Sequence, residues 1–353
     1  MITFNKKTLL IIILSISLTV VFGCWNSSQS NNKSGMGFAR APRIAQTSTA
    51  PSFALPIKCD LGKDCFIMHY VDDEPSPEAV DFNCGRQTYD GHDGIDFGIS
   101  DLQIMNTGVP VVAAAAGTVL RVRDGVADKL VADQTDKEQV AGQECGNGMV
   151  IDHGNGWETQ YCHLKQNSVK VKPNTKVEPG TVLGMVGASG LASFPHVHFT
   201  VRYQGEVIDP FVGEGITEAG CKINKNEQNS LWQQSLNYVP TGLIRSGFST
   251  KPPEQSELWQ GEYQDSQLAI DSPALIFWVH TYGVLKGDLE KWKLIAPDGE
   301  VVINQENNLD KPYRSWVSYV GKRQIASGTW RGEYESIRGG RSVLAINREV
   351  LVD

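Results

Sequence analysis

The chain of 353 residues is long enough for two domains, each with its own hydrophobic core. Its 32 Lys and Arg against 40 Asp and Glu give a formal charge of −8. That balance argues against sequence-independent nucleic-acid binding, which needs basic side chains to neutralise phosphates. The sequence contains no phosphate-binding loop and no dinucleotide-binding glycine fingerprint. We therefore predict no nucleic-acid partner.

The first 23 residues have the features of an export signal. Two lysines precede an apolar run over Leu9–Phe22, which is shorter than the ~20 residues of a membrane-spanning helix. Cys24 directly follows a glycine, and in this respect the segment resembles a bacterial lipoprotein signal. We therefore predict a signal peptide over residues 1–23, an acylated Cys24 and contact with a membrane through that lipid. An ordinary secreted protein is the alternative.

Cysteine usage points to the same compartment, because an even set of cysteines is typical of disulfide-bonded exported proteins. Apart from Cys24 the set comprises Cys59, Cys65, Cys84, Cys145, Cys162 and Cys221. The short loop between Cys59 and Cys65 favours one bridge. Cys145 and Cys162 flank a predicted hairpin and form a second candidate, which leaves the remaining two for a third. Zinc–thiolate ligation is the rival, but these cysteines lack C-x2-C spacing.

Lipidation and disulfides together favour the periplasmic side of a Gram-negative envelope. Trp25, rather than an aspartate, follows the lipidated cysteine. By resemblance to sorted lipoproteins, this favours the periplasmic face of the outer membrane.

The rest of the chain divides by composition into four segments. Residues 24–52 are rich in Ser, Asn, Gln and Thr and predict a flexible tether. Residues 53–215 contain short β-type runs broken by glycine, with a hairpin turn at His153–Gly156. Residues 216–239 are polar and predict a connector. Residues 240–353 again contain short strand-like runs separated by turn residues, which indicate a smaller β-sandwich-like domain.

Histidine and aspartate recur on three of the predicted strands. Side chains of an extended segment alternate between faces, so His92 and Asp96 should share a face, as should His196 and His198. His163 ends a third strand-like run. Imidazole and carboxylate are both common zinc ligands. A lone His-x-His is more often a satisfied or surface pair, but the three motifs together indicate a metal site.

The order of His-x3-Asp, a lone strand histidine and His-x-His resembles the lysostaphin-like (LytM-type) zinc metallopeptidases, which cut peptidoglycan peptides. The resemblance covers Asp90–Phe211 and includes the runs Val111–Val119 and Gly187–Gly190. It implies a mainly β protein, with an antiparallel-sheet LytM-type (duplicated hybrid motif) peptidase domain ahead of the β-sandwich-like domain.

The resemblance also implies the site residues. It assigns one zinc per chain to three ligands, His92, Asp96 and His198, which leaves a fourth position for water. His163 and His196 are then the catalytic pair. One would act as general base and the other would assist the oxyanion or the leaving amine, and the resemblance does not say which does which.

Four further residues receive structural interpretations. His69 in a cysteine-rich loop, His153 in the hairpin turn and His280 in the distal β domain are assigned no role in the chemistry. Tyr161 lies two residues before His163, so it should share a strand face with that histidine.

The implied function is a zinc endopeptidase that hydrolyses peptide cross-links of peptidoglycan. The alternative is a non-catalytic LytM-like activator of another cell-wall hydrolase, a class that has lost ligands. A third interpretation, a β core that only binds glycan or a partner, leaves the five-residue set unexplained. The C-terminal domain has no constellation for chemistry and is a candidate for binding a protein partner.

Overall fold

The protein is described by a computed structural model that covers residues 50–215, 229–263 and 266–353. The predicted signal peptide, Cys24 and Cys221 lie outside these residues. Within them, no helix is both long enough and apolar enough to cross a membrane.

Residues 50–215 contain eleven strands, two short helices and long connecting loops, and we call them the peptidase region after the expectation from the sequence. Its elements are β1 (Cys65–His69), β2 (Ile95–Ile99), α1 (Leu102–Thr107), β3 (Pro110–Val112), β4 (Gly117–Arg123), α2 (Gln134–Gln139), β5 (Asn147–Gly154), β6 (Trp157–Leu164), β7 (Lys176–Val177), β8 (Val182–Met185), β9 (His196–Tyr203), β10 (Glu206–Asp209) and β11 (Glu214–Gly215). The main sheet has the order β1-β2-β9-β6-β5-β4-β7, with β10 beside β9 and β11 beside β10. All of its pairs are antiparallel.

Strand β9 shows why this sheet has an apolar face and a functional face. Val197, Phe199 and Val201 are fully or almost fully buried in the main hydrophobic core. His196 and His198 alternate with them and therefore point to the opposite face. The alternation expected from the sequence thus separates the core from the two histidines.

The C-terminal β domain, residues 240–353, is a sandwich of two sheets, as predicted. Its elements are β12 (Gly242–Ser249), α3 (Gln255–Gln260), β13 (Gln267–Leu268), β14 (Leu275–Val284), β15 (Leu289–Ile295), β16 (Val301–Asn308), β17 (Tyr313–Lys322), β18 (Gly328–Arg338) and β19 (Arg341–Val352). The sheet β12-β14-β17 faces the sheet β13-β19-β18-β15-β16, in which β13 is parallel to β19. Aromatic side chains from both sheets, including Phe277, Trp292 and Tyr334, fill the space between them.

The two domains share a third, smaller apolar cluster. The ring of Phe66 stacks on Tyr282 with centroids 5.3 Å apart, and Trp259 of α3 lies 5.7 Å from Phe194. An ion pair of 3.2 Å between Arg245 and the buried Asp101 borders this cluster. The C-terminal β domain therefore packs directly on the peptidase region.

Two disulfides considered from the sequence are present in the structure. Cys59 is bonded to Cys65, and Cys145 is bonded to Cys162. Cys84 is disulfide-bonded as well.

Asp209 at the end of β10 is a buried carboxyl that lacks full hydrogen bonding. Its Oδ1 accepts the Phe211 N–H at 2.8 Å, but Oδ2 has no hydrogen-bond partner in the described part of the chain. Burial raises the pKa of Asp209 from its ordinary 3.8 to about 7. Because the folded-state pKa is the higher one, the stability that the protonated carboxyl contributes is lost as pH rises from about 4 towards 7.

We expect Asp209→Asn to remove this pH dependence while keeping an acceptor for Phe211. The free energy of unfolding of the variant should exceed that of the wild type at pH 8 by on the order of a few kcal/mol. The two should converge near pH 4. Denaturant unfolding over pH 4–8 measures the difference, with the exposed Asp298→Asn as the matched control. Parallel pH profiles for the wild type and Asp209→Asn would contradict the prediction.

Candidate active site

A row of cross-strand neighbours runs over four strands of the main sheet. His69 on β1 lies opposite Asp96 on β2. His198 on β9 lies opposite Asp96 on one side and Cys162 of β6 on the other. Directly opposed residues of antiparallel strands place their side chains on one face, about 4.5–5.5 Å apart. The register of the sheet therefore brings these four side chains together.

His92 joins this row from the turn that precedes β2. Its Nδ1 lies 2.6 Å from the carbonyl oxygen of Tyr70, so the ring proton is on Nδ1 and is donated to that oxygen. The Nε2 lone pair then points at Asp96 Oδ1, 3.2 Å away, and at His198 Nδ1, 3.1 Å away. A backbone contact, rather than strand alternation, orients this side chain.

His198 is oriented by an acidic neighbour that the sequence analysis did not single out. Its Nε2–H donates to Asp93 Oδ1 at 3.0 Å, and Asp93 is paired with Arg202 at 2.6 Å. This leaves the Nδ1 lone pair of His198 directed at Asp96 Oδ1, 2.9 Å away. A carboxylate that holds the far side of a histidine ring is the usual arrangement behind a metal-binding imidazole.

Three electron-rich atoms therefore converge: His92 Nε2, His198 Nδ1 and Asp96 Oδ1, separated by 2.9–3.2 Å. Ligands about 2.0–2.1 Å from a tetrahedral zinc lie roughly 3.3 Å from one another. Both the donor set and its spacing thus fit a zinc ion. These three residues form a His–Asp–His group whose ligand atoms lie close enough together to hold a metal ion, and we call it the metal-binding group.

The pKa values of His198 and Asp96 show that this group stabilises positive charge. Burial by itself would lower the pKa of His198, but hydrogen bonds and charges from Asp93 and Asp96 outweigh it and raise the value to about 9. Burial opposes ionisation of Asp96 too, yet the surrounding histidines hold its pKa well below the usual range. The site stabilises a cation next to a buried carboxylate.

His163 reaches the site through a local break in strand alternation. The pairing of β5 with β6 shifts register between Asn147 and Met149, and His163 has a φ of 61°. A bulge of this kind re-aims a side chain and is frequent beside active sites. The His163 ring consequently lies 4.6 Å from His196 and 5.9 Å from His198, measured between centroids.

The bulge makes the predicted common face of Tyr161 and His163 wrong. The Tyr161 ring lies in the main core, 5.2 Å from Phe199, and its hydroxyl accepts the Ala114 N–H at 2.8 Å. His163 faces the opposite side of the sheet. Tyr161 is therefore a packing residue, and the rule of alternation failed because it assumes a regular strand.

The two remaining histidines of the set are neutral and share one tautomer. His163 donates from Nδ1 to Ser189 O at 2.8 Å, and His196 donates from Nδ1 to Phe194 O at 2.8 Å. Both Nε2 lone pairs therefore remain available. Burial lowers the pKa of His163 well below its ordinary value and that of His196 to about 4. At neutral pH each ring is therefore uncharged and has a free Nε2 lone pair.

His69, like Asp93, is a residue at the site that sequence reasoning missed. Its Nδ1 donates to Asp96 Oδ2 at 2.8 Å, so it holds the oxygen that does not face the other ligand atoms. The ring is buried between Tyr89 and Phe194. The available signal was that His69 ends an apolar, strand-like run, but only the pairing of that strand with β2 reveals its partner.

The other two histidines make structural contacts. His153 is hydrogen-bonded to the Ala116 carbonyl and the Thr159 hydroxyl, at 2.7 and 2.8 Å. His280 is bonded through Nε2 to Ser315 at 2.7 Å.

The metal assignment predicts about one zinc per chain in the purified protein. His198→Ala and Asp96→Ala should each lose most of it, because each removes one of three converging ligand atoms. His153→Asn, which keeps a donor for Ala116, is the control and should retain the metal. Metal analysis by mass spectrometry checks this, and full zinc occupancy in both ligand variants would refute the ligand assignment.

The contact between His69 and Asp96 predicts a positioning role. His69→Phe keeps a ring between Tyr89 and Phe194 but removes the donor, so zinc affinity should fall about 10- to 100-fold. His69→Asn supplies a replacement donor and should lose less. Competition with a chromogenic chelator measures both affinities. Equal losses in the two variants would mean that His69 acts through packing alone.

Part of the chain is similar in sequence to known peptidases. Residues 90–210 match the sequence model of peptidase family M23. The chain is similar to the DD-carboxypeptidase/endopeptidase Mpg of Neisseria meningitidis serogroup B, with 32% identity over 119 residues, 34% of this chain and 22% of Mpg. It is also similar to the peptidoglycan DD-endopeptidase ShyA of Vibrio cholerae, with 29% identity over 118 residues, 33% of this chain and 22% of ShyA.

Among solved structures, the catalytic domain of lysostaphin from Staphylococcus simulans aligns with 40% of this chain and 85% of its own, at 20% identity and a TM-score of 0.26. The chain spans about a fifth of the length of the curated relatives that it matches. The segment that carries the His–Asp–His group belongs to peptidase family M23.

Proposed function

We propose that this protein is a zinc-dependent endopeptidase that hydrolyses peptide cross-links of bacterial peptidoglycan. The observation that carries the proposal is the convergence of three ligand atoms beside two neutral histidines on one face of the sheet. The names of Mpg and ShyA, which refer to DD-endopeptidase activity, support the choice of substrate.

His92, Asp96 and His198 would hold the zinc ion. When bound, zinc supplies Lewis-acid polarisation of the scissile carbonyl and acidifies the attacking water. His163 and His196 carry Nε2 lone pairs on the same side, so one of them takes up the water proton. The ring that has taken up this proton can donate it from Nε2 to the leaving amine. The other ring would assist the oxyanion only in a form that carries a proton on Nε2, because its Nδ1–H is bonded to a backbone carbonyl.

The surface beside these histidines suits an extended peptide. A groove of about 260 Å³ lies over β4, β5 and β6 and is lined by the disulfide residue Cys145, Gln160 and two arginines, Arg121 and Arg123. Gln160 lies next to both sulfurs of the disulfide and accepts a hydrogen bond from Arg202 at 2.8 Å. A peptide lying in this groove would run along the sheet towards the metal-binding group.

The activator alternative requires a degenerate site. A domain that only binds another hydrolase has no need for an ordered metal-binding group with two oriented imidazoles. Here each of the five side chains is held by a specific hydrogen bond, which supports catalysis over an activator role.

We further propose that the protein is exported and anchored by an acylated Cys24 on the periplasmic face of the outer membrane. The basic and apolar segment before Cys24 supports the signal. Disulfides in the described residues support an oxidising compartment. Within the proposal, peptidoglycan is the partner, and the C-terminal β domain is a candidate surface for a partner protein.

Separating ligands from catalysts tests this function. His163→Ala and His196→Ala should keep the zinc, because neither removes a ligand atom. Both should hydrolyse purified sacculi about 10²- to 10⁴-fold more slowly, the usual worth of general acid–base catalysis. Mass spectrometry of the released muropeptides measures the rate and identifies the bond cut.

The control is His153→Asn, which alters a histidine outside the site. Loss of zinc in either catalytic variant, with retention in His198→Ala, would reverse the assigned roles. Wild-type protein that holds zinc but releases no muropeptide would refute the endopeptidase proposal.

A further inference from the structure

The C-terminal β domain contributes to a cavity beside the candidate active site. The cavity has a volume of about 520 Å³ and lies between the end of the loop that leads to His92 and the start of β17. Three exposed cations line it, Arg86 from the peptidase region and Lys311 and Arg314 from the C-terminal β domain. We call these three residues and the space between them the basic pocket.

In the part of the chain that the structure describes, the three cations of the basic pocket have no directly paired carboxylate, although Asp310 accepts a hydrogen bond from the pocket residue Tyr313 at 3.3 Å. Among the described residues no carboxylate lies within 4 Å of any of the three cations. Arg314 donates two hydrogen bonds to the neutral Thr88 carbonyl, at 2.9 and 3.2 Å, and Lys311 lies 5.2 Å from the Tyr313 ring. Three like charges around one cavity repel one another, and in a chain of charge −8 such a group is unusual.

The basic pocket is close to the metal-binding group. Arg314 holds the carbonyl of Thr88, and the next residue, Tyr89, has its ring 4.4 Å from His92 and 5.3 Å from His69. Thr88 and Tyr89 therefore connect the basic pocket to the metal-binding group.

We infer that the basic pocket binds a carboxylate of the peptide that is being cut, so that the C-terminal β domain takes part in substrate selection. This inference rests on the proposed endopeptidase function. A guanidinium pairs with a carboxylate through two parallel hydrogen bonds, and a lysine adds a mobile point charge. The cavity is large enough for a whole residue around that carboxylate. Peptide substrates offer such groups at acidic side chains and at a free C-terminus.

The test compares two forms of one cross-linked peptide that differ only in whether its carboxylates are free or amidated. The zinc-loaded, full-length wild type should cleave the free form with a kcat/KM about 3- to 10-fold higher, mainly through a lower KM. The double variant Arg86→Gln/Lys311→Gln should lose this preference. Arg314 is left intact because it also holds the Thr88 carbonyl. Lys322→Gln/Arg323→Gln, an equal charge change at and just beyond the far end of β17, should retain the preference.

The outcomes separate the pocket from the proposed function. Cleavage of both peptides with no preference, or a preference that survives in the double variant, overturns the pocket while leaving the endopeptidase in place. Failure to cleave either peptide overturns the proposed function. Calorimetric binding of the same two peptides then tests the pocket by itself: tighter binding of the free form that is lost in the double variant supports it, and equal binding overturns it.

Discussion

The site depends on the burial of one carboxylate, Asp96, among four imidazoles. The side chain is only 3% exposed, and an unpaired charge at such a position would cost several kcal/mol. His69 holds one of its oxygens, while the other faces His92 and His198 and lies 3.5 Å from His196. The charge of Asp96 is balanced when positive charge lies next to it, as a proton on His198 or as a cation held by the three ligand atoms. The folded sheet therefore favours positive charge at this position.

The backbone supplies this arrangement by regular pairing and by one departure from it. Antiparallel register places Asp96 beside His198, while a bulge turns His163 towards them. The Cys145–Cys162 disulfide lies at that bulge, and the Cys145 carbonyl accepts the His163 N–H at 2.8 Å. Close packing also excludes a side chain at position 94, because a Cβ added at Gly94 would lie 2.5 Å from His198 Nε2. The glycine in the His-x3-Asp motif makes room for the ligand ring.

The sequence predicted those features that follow from strand periodicity and motif order. The alternation of β9 correctly separated His196 and His198 from the core residues between them, and the fold class was confirmed as mainly β with a C-terminal sandwich. The sequence did not predict features that arise from pairing between distant strands. His69 meets Asp96 only because β1 lies next to β2.

Irregular backbone geometry could not be predicted from the sequence either. Nothing in the run Trp157–Leu164 distinguishes a bulged strand from a regular one, so the opposite faces of Tyr161 and His163 could not be read from spacing. His92 is set by a hydrogen bond to the Tyr70 carbonyl, a main-chain group that carries no residue-specific signal. In both cases the backbone, rather than the pattern of side chains, decides where the histidine points.

The C-terminal β domain contacts the segments that hold two histidines of the candidate site. Trp259 packs on Phe194, and Phe194 stacks on His196 with ring centroids 4.3 Å apart. On another side of the site, Arg314 holds the Thr88 carbonyl in the segment that leads to Tyr89 and His92. Residues of the C-terminal β domain thus support two histidines of the site indirectly, through Phe194 and through the segment that contains Thr88. Because packed side chains transmit displacements, a movement of this domain would be felt at the metal-binding group as well as in the basic pocket.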